Sequence, residues 1–145
     1  MDRPEKRGNR VTISQIIPVP CSSAPELANA FGSVVFEPQW WPDDSHDILY
    51  ELYELQSGLM YQIGSARTDG RPIRLVGQTE APERRLPKVN WYAPPDLKPI
   101  GGMVAETHSG YQAVIHQRHQ TVQLIGYLTE ADVVCAALSL SPVSP

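Results

Sequence analysis

Two cysteines, Cys21 and Cys135, are too few for a disulfide framework or for a zinc site of the C-x-x-C type. No apolar run approaches the roughly 18 residues of a bilayer-crossing helix, so no membrane span is expected. Excess charge is also scarce. The net charge of −4 provides no global basic field to favour nucleic acid. Uninterrupted stretches are lacking too, because 14 prolines and 10 glycines punctuate 145 residues, which excludes a long-helix bundle or a coiled coil. What is present is enough apolar material for a core. Leu, Ile, Val and Phe make up about a quarter of the chain, above the roughly 20% below which disorder is the default. The length suits one domain.

Arg3, Lys6, Arg7 and Arg10 precede an uncharged stretch, residues 11–20, and then Cys21. That order imitates a lipoprotein signal, and an exported lipoprotein anchored at Cys21 is the alternative localisation. Asp2 and Glu5 interrupt the charge, however, and Ser14, Gln15, Pro18 and Pro20 spoil the apolar segment. The expectation is a disordered basic tail over residues 1–10, a single α+β domain over residues 11–145, and a cytoplasmic protein with reduced thiols. Cys135 lies among apolar residues and is expected to be a small buried hydrophobe. Whether Cys21 and Cys135 pair is a matter of geometry.

Charge is segregated along the chain. Residues 26–54 hold seven acidic side chains (Glu26, Glu37, Asp43, Asp44, Asp47, Glu51, Glu54) and no Lys or Arg. Residues 67–98 hold seven basic side chains against four acidic ones. The two segments either pack side by side and neutralise each other or form a two-signed docking surface.

Ser23-Ala-Pro-Glu26 has capping-box spacing and opens a short helix that stops at Gly32. Val34-Val35-Phe36 follows as a strand. Residues 47–56 fit either a helix or a two-faced strand, with the tyrosines and the Ser57-Gly58 turn favouring the strand. Leu59, Tyr61 and Ile63 share one strand face, Asp69-Gly70 marks a hairpin, and Ile73 and Leu75 share a face of the returning strand. Residues 93–102 form a long proline-rich loop flanked by core-like Trp91-Tyr92 and Met103-Val104. Residues 103–107, 111–116 and 121–128 make an antiparallel meander. Thr129-Glu-Ala-Asp132 caps a last helix running to about Leu140, with an apolar stripe of Val133, Val134, Ala137, Leu138 and Leu140. The fold class is α+β: an antiparallel sheet of five to seven strands, with a short N-terminal helix and a C-terminal helix packed on one face. The other face is left open or available for dimerisation.

No catalytic constellation stands out. His116 and His119 have H-x-x-H spacing with His108 upstream, but at a strand end such side chains diverge, so no metal is expected. Ser65 lacks the flanking glycines of a nucleophile elbow, and Gly101-Gly102 lacks the Lys and Ser/Thr of a phosphate loop. No catalytic residue and no cofactor is assigned. The basic cluster of Arg67, Arg71, Arg74, Arg84, Arg85 and Lys88 is the one argument for nucleic acid, and few aromatics interleave it. Aromatics carry more signal. Trp40, Trp41, Trp91, Tyr92, Tyr50, Tyr53 and Tyr61 include all three tryptophans, several beside prolines in two loop regions. Adjacent Trp40 and Trp41 cannot both point inward from an extended segment, so one is expected to be exposed. The candidate ligand or partner surface is Trp40, Trp41, Trp91, Tyr92, Arg71 and Arg74.

Leu124-Ile-Gly-Tyr-Leu-Thr-Glu-Ala-Asp132 and Ala136-Ala-Leu-Ser-Leu140 resemble the C-terminal half of a bacterial domain of unknown function. That domain occurs in envelope lipoproteins and in the extracytoplasmic parts of anti-sigma proteins. Phe36, Pro38 and Trp41-Pro42 are similar to its F…P…LP loop. The resemblance implies an open antiparallel sheet with a C-terminal helix, and sensing or binding rather than catalysis. Taken together, these features predict a non-enzymatic module that self-associates as a homo-oligomer or binds a protein partner. The alternative is a carrier of an apolar small molecule or lipid, using aromatic loops around the sheet.

Overall fold

The computed structural model describes residues 17–79, 86–117 and 119–145. The basic tail over residues 1–10 lies outside them, as do Arg84 and Arg85. The strands build a seven-stranded antiparallel sheet and a separate two-stranded ribbon. The elements follow as β1 (Val19–Cys21), α1 (Ala24–Phe31), β2 (Val35–Pro38), β3 (Ser45–Leu55), β4 (Gly58–Arg67) and β5 (Ile73–Gln78). Then come a 3-10 turn (Lys98–Ile100), β6 (Gly102–Thr107), β7 (Gly110–Gln117), β8 (Gln120–Ile125), α2 (Glu130–Leu138) and β9 (Leu140–Val143). The sheet order is β1-β3-β4-β5-β8-β7-β6, and the ribbon pairs β2 with β9. Two three-stranded meanders, β3-β4-β5 and β6-β7-β8, thus meet along a β5–β8 seam, where Leu75 opposes Leu124.

Local chemistry explains the boundaries. Ser23 Oγ accepts from the Glu26 amide at 3.2 Å, and Gly32 closes α1 in the left-handed conformation at φ 83°. The Glu26 carboxylate does not reach back to Ser23; it accepts instead from the Ser22 amide at 3.2 Å and from the Ser22 hydroxyl. Thr129 Oγ1 caps α2 by accepting from the Asp132 amide at 3.1 Å. Residues 45–55 are a strand, with a bulge between His46 and Leu49 where Asp47 takes φ 55°.

One buried cluster joins Leu27, Ala28 and Phe31 of α1 to Val133, Ala136 and Ala137 of α2 through the strand residues Leu52, Tyr61, Ile63, Leu75, Val122 and Leu124. Each aliphatic side chain removed from water contributes about 1.5–3 kcal/mol. Tyr61 is its polar pin. Its ring meets Phe31 edge-on at 4.8 Å, its hydroxyl donates to Gln120 Oε1 at 2.6 Å, and it accepts from the Phe36 amide at 2.9 Å. Gln120 in turn donates to the Val34 carbonyl at 2.7 Å. The ring lies over Gly77, its cross-strand partner, where a Cβ would stand 2.3 Å from Tyr61 Cζ.

Several expectations need correction. The last helix ends at Leu138, and residues 140–143 form β9, paired with β2 from Val35↔Val143 to Pro38↔Leu140. Cys135 is exposed rather than buried, and of the expected stripe Leu138 is 50% exposed, whereas Val133 and Ala137 are buried and Val134 and Leu140 pack half-buried against the core. Neither Trp40 nor Trp41 is exposed. Both are half-buried against the core, with the Trp40 amide held by Ser139 Oγ at 3.1 Å. Trp91 is half-buried, but Tyr92 is 43% exposed rather than core-like. Cys21 and Cys135 are both free thiols.

Candidate binding surface

Strand alternation gives the sheet a second side, opposite the residues that build the core. Register places Leu49, Gly64, Arg74 and Ile125 in one cross-strand row there. The next row runs through Glu51, Gln62, Val76, Gln123, Val114 and Met103. This side is covered unevenly. Val114 and Ala105 are fully buried, whereas Leu49 is 61% exposed. Residues 86–93 return along the β7–β8 half, since Pro87 shares a depression with Gln112 and Gln123, and Tyr92 then pairs with Val104 beside β6.

That depression, of about 690 Å³, is the most informative site among the described residues. Arg71 and Arg74 line it together with Ser109, Gln112, Gln123 and Tyr127. A chain of contacts sets this wall. Asp44 accepts from Arg67 Nε at 3.1 and 3.2 Å, and Arg67 Nη1 donates to the Tyr127 carbonyl at 2.6 Å. The Tyr127 ring then carries the Arg71 guanidinium at 4.0 Å from its centroid, a cation–π contact. Asp69 Oδ1 accepts from the Arg71 amide at 2.9 Å and tightens the turn before it. Arg74 lies beside Gly64, its cross-strand partner, and its charge eases ionisation of Tyr53 against the larger opposing effects of burial and Glu51. The described lining residues include no carboxylate, thiol or imidazole. The wall therefore provides two cations and several neutral hydrogen-bonding groups.

The predicted surface residues do not form one site. Arg71 and Arg74 come together in this depression. Trp91 and Tyr92 lie farther along, where Trp91 Nε1 donates to the Pro87 carbonyl at 3.1 Å and the Tyr92 hydroxyl donates to Glu130. The bond to Glu130 chiefly, with desolvation second, pushes the Tyr92 phenol up to about 12. Tyr92 also lines a smaller depression of about 450 Å³ with Lys88, Asn90, Glu106 and Tyr111. Trp40 and Trp41 line neither depression. Sequence reasoning missed Gln112, Gln123, Ser109 and Tyr127, although a lone glutamine between apolar neighbours in each strand, Tyr111-Gln112-Ala113 and Val122-Gln123-Leu124, was the available signal. The segregated charges meet at Asp44–Arg67, with side chains only 34% and 14% exposed.

His108, His116 and His119 are exposed, and among the described residues no three His, Cys, Asp or Glu side chains group as metal ligands. Burial, with Glu26 adding, pushes the Cys21 thiol up, which works against a reactive thiolate. Among the described residues no helix is long and apolar enough to cross a membrane. No family model matches the chain, and comparisons with curated proteins and with solved structures likewise find no match.

Proposed function

We propose that the protein is a non-catalytic binding module that engages a protein partner, or a second copy of itself, through the side of the sheet turned away from the core. We read both helices as covering the core side, which leaves this side as the working surface, and place the protein in the cytoplasm with reduced thiols. The observation that carries the reading is Leu49, 61% exposed on a strand and in register with Arg74 beside the arginine-lined depression. An exposed apolar side chain in the same cross-strand row as Arg74 offers a partner one apolar and one charged anchor. The similarity of residues 124–132 and 136–140 to the bacterial envelope and anti-sigma domain supports binding over catalysis. Light scattering over rising concentration tests self-association. A dimer lost in Leu49→Glu supports it, and a monomer at every concentration eliminates it and leaves the heterologous partner.

A second reading, a small-molecule carrier, draws on the 690 Å³ of the depression, within the roughly 300–1,000 Å³ typical of ligand pockets. Native mass spectrometry of the purified protein tests it, since a carrier retains its ligand mass.

A further inference from the structure

We infer that the depression beside Arg71 and Arg74 receives an acidic, extended peptide segment whose carboxylates meet the two guanidinium groups. The inference rests on the binding-module reading and names the chemistry of its partner.

Charge comes first. Among the described residues Arg67 is engaged by Asp44, while no described carboxylate lies within 4.0 Å of Arg71 or Arg74. A guanidinium fork matches the plane of a carboxylate and holds it through two parallel bonds. Arg71 is already oriented, stacked at 4.0 Å on Tyr127, whose backbone Arg67 fixes. An oriented side chain loses less rotamer freedom on binding.

The rest of the wall suits a peptide better than a bare anion. Gln112 and Gln123 offer donors and acceptors to an extended backbone, which needs both. Ile125 and Pro72 supply apolar surface between the polar groups. An extended segment of alternating acidic and apolar residues would turn all its carboxylates to one side, toward the arginines, and its apolar side chains to the other. The site's cations lie at the end of the sheet where Arg67 tethers the Asp44 loop, so the protein's own acidic loop already shows how this hairpin meets a carboxylate.

The test is fluorescence anisotropy of the full chain with a fluorescein-labelled octapeptide of alternating Glu and Val, at low salt. Binding is expected to weaken about tenfold or more in Arg71→Gln/Arg74→Gln, and equally when the peptide carries Gln in place of Glu. Unchanged melting verifies that the variant is folded. On the wild-type chain alone, added salt must also weaken binding. Free glutarate is the competitor that separates sources: displacement at the peptide's own concentration would assign the site to small acids and overturn the inference. Equal binding by the variant or by the neutral peptide would overturn it too, as would no binding at about millimolar protein. If the octapeptide fails while the chain still self-associates in light scattering, this inference alone falls. If both fail, the self-association half of the binding-module reading falls with it.

Discussion

Tyr61 and Gly77 show how one pair of residues ties the sheet to the ribbon. Gly77→Ala places a methyl group 2.3 Å from the Tyr61 ring, which has no room to withdraw because the residue is fully buried. We expect a loss of ~1–3 kcal/mol by denaturant unfolding, as for overpacked cores. Tyr61→Phe keeps the ring but strands the Phe36 amide and Gln120 Oε1, and should also cost about 1–3 kcal/mol. Similar stability for that variant and the wild type would show that the pin is ornamental. The same phenol predicts alkaline sensitivity. Burial pushes the Tyr61 phenol above its usual value of 10.0, and desolvation with the Glu37 hydrogen bond pushes Tyr50 up to about 12. Both phenols stay neutral when folded and ionise readily when unfolded. Stability is therefore fully present below pH 10.0 and falls as pH rises toward 12. Thermal melts across pH 8 to about 12 check this. A flat profile contradicts it.

The elements differ in how much of them the sequence reveals. The Asp69-Gly70 hairpin, the second meander and both capped helices are local features, readable from turn residues and alternation. β9 is not, because its pairing with β2 joins distant residues and Pro142 argues against a strand until an edge partner is in place. Cys135 misleads for a related reason: α2 approaches the sheet on its alanines, so the bulky Leu138 turns outward. The tryptophan loop misleads in the opposite sense. Proline and adjacent tryptophans suggest a surface, yet Ser139 Oγ accepts from both the Gln39 and Trp40 amides at 3.1 Å and draws that loop against the core. Ser139→Ala removes both bonds and should cost about 1 kcal/mol. It should also speed amide hydrogen exchange at Trp40, whereas the Gln39 amide keeps its bond to the Ser139 carbonyl at 3.2 Å and β4 is unchanged. Ser23→Ala, which removes the α1 cap, should likewise cost about 1 kcal/mol by denaturant unfolding.

At the scale of the whole molecule, two meanders joined along β5 and β8 create one broad sheet with unlike sides. One side carries the core, and the other gathers Leu49, Arg74 and the glutamines. The candidate surface was only half legible. Arg71 and Arg74 stand out around a hairpin, but their neighbours Gln112, Gln123 and Ser109 come from the other meander and meet them only across the seam. The tryptophans, which dominate the sequence by chemistry, serve the core at 40 and 41 and hold the returning segment at 91. The most direct measurement is a nuclear magnetic resonance titration of isotope-labelled full-length chain with the alternating Glu and Val octapeptide. The account predicts chemical-shift changes centred on Arg71, Arg74, Ser109, Gln112, Gln123 and Tyr127. Changes confined to Trp40, Trp41 and α2, or no changes at all, would contradict it.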